Sequence, residues 1–256
     1  MRLLKTMSSV MPNAMGAALF TATLFTTTLV TTTAHATVAD YDNCLALVDA
    51  DTTRALSEAQ TWRDTGGGLA AQHCIILALA KLGNFSDAAT QADALSDSAP
   101  DPALQADLLT QSGEFHLAAN NAAAARTVFD RALSIEPNAL DALDGRARAL
   151  ASTGDLNGAI ADLTRVLWLL PNDAEALALR AAARRRNGDI AGALNDAEAA
   201  VAADPDSAVA YFERGAVRAI QRDHNGARED WSTAVRLDRV GDVSSIAQQN
   251  ISRLPQ

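Results

Sequence analysis

Two apolar patterns divide the chain. Arg2 and Lys5 precede an uncharged stretch, residues 6–34, whose most apolar part is 14–30. Beyond it, Ala55, Ala59 and Trp62 stand at helical spacing and predict a helix over 53–63, stopped by Gly66, Gly67 and Gly68. A shorter helix is expected over 41–49, and a closing one over 243–254, where Ile246 and Ile251 sit among polar residues. Between these ends small residues recur at long range. Ala125, Ala159, Ala193 and Ala227 are 34 apart, and Ala88 lies 37 before the first of them. Pro100, Pro137, Pro171 and Pro205 keep the same 37, 34, 34 rhythm. One three-residue insertion near 100–106, lengthening a linker, accounts for both exceptions. A fixed period of this size marks a repeat array.

Further columns keep step. Gly113, Ala147, Ala181 and Gly215 are small, as are Ala132, Ala200 and Ala234, with Val166 among them. With these in place, residues 69–239 resemble the tetratricopeptide repeat (TPR) family, whose unit is two antiparallel helices of this period. The best unit reads LDALDGRARALASTGDLNGAIADLTRVLWLLP over 140–171. Small side chains at Ala147 and Ala159 let two helix axes approach to about 8 Å. Gly154 accepts the left-handed conformation that ends the first helix. Pro171, lacking an amide hydrogen, stops the second, and Asp155 or Asn157 is placed to cap it. The large residue near the start of each first helix is Leu109, Leu143, Leu177 and Tyr211. Departures are local. The first unit has Gln72 in that place and Ile76 at the small position, which predicts a looser crossing. The turn column Gly83, Asn120, Gly154, Gly188 ends in Arg222, and the terminal proline becomes Arg239.

The resemblance implies an all-α, right-handed superhelical solenoid of antiparallel helix pairs. About five units are expected near 69–102, 106–139, 140–173, 174–207 and 208–241, between a half-repeat cap at 37–68 and a capping helix at 242–256.

Composition and the cysteines refine this picture. Ala34-His35-Ala36 after the apolar run reads as a signal-peptidase site, so residues 1–36 are expected to be removed and the mature protein to begin at Thr37. Five threonines weaken that run as a membrane anchor. Losing Arg2 and Lys5 takes the net charge from -10 to -12, which disfavours nucleic acid and anionic lipid as partners. Cys44 and Cys74 are an even pair in a chain expected to be exported, so a disulfide is the first reading; two separate thiols or a redox pair are the alternatives.

The remaining candidate chemistry is sparse. His73 beside Cys74 points elsewhere on a helix, His116 and His224 fall in other repeats, and no HExxH, GxSxG or phosphate-loop motif occurs. No metal, cofactor or catalytic residue is therefore expected. In the TPR family first helices line a concave face, and the resemblance maps that face to Asp107, Thr110, Glu114, Asp141, Asp144, Arg148, Glu175, Ala178, Ala182, Arg185, Val209, Phe212 and Ala216. Asp141, Asp144, Arg148, Arg185, Val209 and Phe212 are its candidate partner-binding residues. Phe212 is readable either as an anchor for a partner or as core. The run Arg184, Arg185, Arg186 is readable as a functional patch or as a solvated helix end. The lysines and asparagines with which similar proteins clamp a peptide carboxylate are missing. The expected function is a soluble, non-catalytic periplasmic adaptor for a peptide or protein of the cell envelope. A structural subunit of an envelope assembly and an auxiliary domain of an envelope hydrolase are the alternatives.

Overall fold

The computed structural model describes residues 40–239 and 241–255. The expected signal peptide and the Thr37 terminus lie outside them. Described residues form helices and turns, with no strand among them. They divide into two compact units at Pro100 and Asp101.

The first unit holds α1 (Tyr41–Ala50), α2 (Thr52–Trp62), α3 (Gly68–Lys81) and α4 (Phe85–Ser96). Asp40 and Asp51 cap α1 and α2 by accepting the amide hydrogens of Asn43 and Arg54, each cap contributing about 1 kcal/mol. A kinked turn, Arg63–Gly67, joins α2 to α3, with Gly66 at φ 103°. Cys44 and Cys74 form a disulfide with their Cα atoms 6.2 Å apart, tying α1 to α3. Beside it the Tyr41 hydroxyl meets Nδ1 of the buried His73. Burial, reinforced by Asp42, pushes the Tyr41 hydroxyl up to about 12. A cavity of about 100 Å³ lined by Gln72, Ile76, Gln91 and Leu95 opens between α3 and α4. The two residues that depart from the repeat pattern thus flank a local packing gap.

The second unit holds α5 (Pro102–Ala118), α6 (Ala122–Ile135), α7 (Leu140–Thr153), α8 (Leu156–Leu169), α9 (Ala174–Arg186), α10 (Ile190–Ala203), α11 (Ala208–Ile220), α12 (His224–Leu237) and α13 (Asp242–Arg253). Helices α5 to α12 form four antiparallel pairs. Aspartates 101, 155, 173, 189 and 223 cap helices through the amide three residues on, so part of the chain's acidity is capping chemistry. The three-residue insertion does not lengthen a loop: α5 has 17 residues where α7 has 14, and the extra turn begins at Asp101 and Pro102. Proline at the first helical position has no amide to leave unsatisfied, which favours starting the helix early.

Small residues at the crossings answer large ones sixteen positions later. Gly113 faces Phe129, and a Cβ on that glycine would lie 2.5 Å from the ring. Gly215 faces Trp231, with a corresponding distance of 2.8 Å. The turn column is uniform in conformation although not in sequence. Gly83, Gly154 and Gly188 have φ of 81°, 90° and 86°, and Asn120 and Arg222 adopt 59° and 65°. The last unit therefore keeps the left-handed turn without glycine. At the C-terminus, Val243, Ile251 and Leu254 pack on the Trp231 cluster, whereas Ile246 faces outward, 48% exposed.

Candidate interaction face

The first helices of successive pairs in the second unit also pack on one another, α5 on α7, α7 on α9 and α9 on α11. Their aligned faces form the inner side of this unit. Of the residues mapped to that side from sequence, Asp141 and Glu175 are exposed, Asp107, Thr110 and Glu114 are half-buried, and Val209 is 40% exposed. Ala178, mapped to this face from sequence, is instead fully buried in the core; its methyl group fits between packed helices and offers a partner nothing. Ala182 and Ala216 are half-buried. Phe212 is half-buried and packs against the Trp231 cluster, while its carbonyl accepts the Trp231 Nε1 hydrogen at 3.1 Å. It serves the core and keeps an edge at the surface.

The two candidate cations are engaged. Arg148 donates from Nε to Asp144 at 2.9 Å and from Nη2 to Glu114, one unit earlier. Arg185 directs Nε and Nη2 to a single Glu213 oxygen at 3.1 and 3.0 Å. Burial raises the Glu213 carboxyl above the ordinary range, with Arg185 opposing the shift. Burial also raises Asp144, against the pull of Arg148, and raises Asp107, which Glu136 and Asp141 push further. The arginine run is a solvated helix end only at Arg186, which is exposed. Arg184 pairs with Asp196 at 2.9 Å, and Arg186 donates to the Ala151 carbonyl at 2.9 Å.

A second arginine set escaped the sequence reading. Arg146, Arg180 and Arg214 each grip an aspartate sixteen residues on, Asp162, Asp196 and Asp230, through paired bonds of 2.6 to 3.0 Å. Bidentate pairing suits the planar guanidinium. Arg146 reaches back to Asp130 at 2.8 Å, and Arg180 to Thr164 at 3.2 Å, both on the preceding pair's second helix. Both columns repeat every 34 residues, so the signal was present in the sequence. These pins hold the stack together and lie apart from the inner face. Among the described residues no three His, Cys, Asp or Glu side chains gather as a metal-ligand set. No described helix is long and apolar enough to cross a membrane.

No protein-family model matches the sequence, and neither does any curated protein. Solved structures do match. A tetratricopeptide repeat protein from Parabacteroides merdae ATCC 43184 aligns with TM-score 0.64 and 17% identity, over 86% of this chain and 86% of that one. MamA, residue 41 to its end, from Desulfovibrio magneticus RS-1 gives TM-score 0.57 and 22% identity, over 72% of this chain and 97% of that one. YrrB, described as a TPR protein with an unusual peptide-binding site, gives 0.53 and 19%, over 74% and 96% respectively. The likeness is one of fold: this chain has the tetratricopeptide-repeat fold.

Proposed function

We propose that the protein is a non-catalytic interaction module of the bacterial periplasm, binding a peptide or protein of the cell envelope along the inner face of α5 to α11. One observation supports this reading: of the residues mapped to that face, Asp141 and Glu175 are exposed, Val209 is 40% exposed and Phe212 is half-buried. Arg148 and Arg185 are neutralised by their own carboxylates, so the face favours a segment bearing basic residues and an apolar anchor. Polar and apolar groups in one groove fit extended-segment recognition better than a permanent apolar interface. The peptide site described for YrrB is consistent with it. Photo-crosslinkers at positions 175 and 209 of the exported protein test the reading. The expected result is one envelope protein joined at both; joining only through the outer helices α6, α8 and α10 overturns it.

A structural subunit of an envelope assembly is the second reading, favoured by Trp168, 77% exposed on the outer helix α8. It predicts that Trp168→Ala detaches the protein from a large complex on gel filtration and leaves the crosslinks at 175 and 209 absent.

A further inference from the structure

A cavity of about 390 Å³ opens in the second unit between α7 and α9, with Leu117 of α5 at its side. That volume falls within the range of small-ligand sites. Leu117, Leu163 and Leu179 supply its apolar wall. It is open because Ala147, Ala151, Ala182 and Ala183 give only methyl groups where the helices meet. The opening is local. One unit earlier the column of Ala151 holds Leu117, and one unit later it holds Arg185, so the fold accepts bulk at that position.

Two guanidiniums stand at the rim, and they differ. Arg148 already has two carboxylates, Asp144 and Glu114. Arg186 is exposed and gives one Nη2 hydrogen to the Ala151 carbonyl; among the described residues it forms no salt bridge. The rim is thus polarised: carboxylates on the α7 side repel an acid and attract a base, while Arg186 at the end of α9 attracts an acid.

We propose that this cavity is the anchor subsite of the inner face: it takes a branched aliphatic side chain from the interior of a partner segment, with a basic residue before it and an acidic residue after it. The base lies toward Asp144 and the acid on Arg186. An interior segment is the occupant because the inner face continues on both sides of the cavity, toward Asp141 and toward Val209. The inference rests on the inner-face reading and sharpens it.

The test is a methyl NMR titration of the disulfide-bonded exported protein with an acetylated, amidated peptide reading Gly-Ser-Arg-Leu-Glu-Ser-Gly. The methyls of Ala151, Ala182 and Leu179 should shift. Changing the peptide's leucine to alanine should weaken binding about tenfold, and its glutamate to glutamine roughly threefold to tenfold. Ala151→Leu should fold with an unchanged melting temperature and lose at least about tenfold in affinity. Arg186→Gln should erase the preference for glutamate over glutamine while sparing the preference for leucine. Shifts confined to methyls outside the cavity, or a glutamate preference that survives Arg186→Gln, overturn the subsite. No binding of this peptide at all overturns it too. The crosslinks at 175 and 209 are a separate readout: their presence alongside a silent cavity leaves the inner-face reading standing, and their absence removes both.

Discussion

Phe129 on α6 occupies the space that a Cβ on Gly145 of α7 would need, while Gly113 of α5 closes on the same ring from the other side. The ring is completely buried and is shared by two neighbouring helix pairs. It is a wedge whose shape only glycine on both sides accommodates. Phe129→Ala should cost about 3 to 5 kcal/mol, because the cavity left behind cannot collapse against two helices held elsewhere. Gly145→Ala should also destabilise, by about 1 to 3 kcal/mol through overpacking. Combining the two should cost less than the sum of both, and urea unfolding of the four proteins measures that coupling.

Asp196 receives Arg180 and Arg184 and has a side chain only 6% exposed. Asp196→Ala leaves Arg180 with only the Thr164 hydroxyl and Arg184 with Asp189 and the Gly192 carbonyl, and should cost about 3 kcal/mol, the low end for a broken buried pair. Asp141→Ala, at an exposed carboxylate, should stay within about 0.5 kcal/mol. In the first pair of this unit, α5 and α6, the same two columns hold Ser112 and Val128, both buried, so a pair without charge is tolerated there. Arg146→Ser with Asp162→Val should therefore be less damaging than Asp162→Val alone, as denaturant midpoints would show.

Arg222 stands left-handed at φ 65° in a column whose other members are Gly83, Asn120, Gly154 and Gly188, all left-handed too. A side chain costs roughly 1 to 2 kcal/mol in that conformation, and glycine returns part of the gain by loosening the unfolded chain. Arg222→Gly should stabilise by about 0.5 to 1 kcal/mol and raise the thermal midpoint. Arg222→Val, β-branched and worse suited to positive φ, should lower it.

The Cys44–Cys74 bond closes a loop with a sequence separation of 30, which corresponds to about 3 to 4 kcal/mol in the chain-entropy description. Reduction should raise hydrogen exchange in α1 and α3 before it changes α7 to α9, because repeat contacts run mainly between neighbours. Intact mass tests the export proposal: protein recovered from the periplasm should match a chain beginning at Thr37 without free thiols.

Acid should weaken binding of a basic segment earlier than ordinary aspartates would allow. Burial raises Asp107 and Asp144 above 3.8, so as pH falls from neutrality these carboxylates protonate sooner than unshifted aspartates would and the face loses negative charge. Affinity for the Arg-Leu-Glu peptide should decline as pH falls through that raised range and recover on return to pH 7. The same groups hold more protons folded than unfolded, so their own contribution to stability falls as pH rises from the unfolded value through the folded one. Asp107→Asn and Asp144→Asn should flatten the binding profile in peptide titrations.

The repeat was legible because helix-pair packing acts on every unit alike. Wherever two helices cross closely, size is restricted, so Ala125, Ala159, Ala193 and Ala227 declare the period without any structure. Caps such as Asp155 are equally local, since the amide they accept is three residues away. The arginine and aspartate columns at 146 and 162 were equally periodic, but a charged column does not announce burial; their side chains become core only when the two helices are laid side by side.

The chain's own sequence determined the period and the helix pairs, since both depend on contacts that recur at fixed separations; it offered Cys44 and Cys74 as a pair with alternatives open, and the fold brings them together. Tertiary structure alone decided the roles of Arg148, Arg185 and Phe212. Their partners Glu114, Glu213 and Trp231 come from separate helices, 34, 28 and 19 residues away, so only the stacking of those helices sets which charges cancel and how much of the ring remains at the surface. The left-handed turn at Arg222 has the same origin: the helices on either side dictate a backbone conformation that the residue itself disfavours.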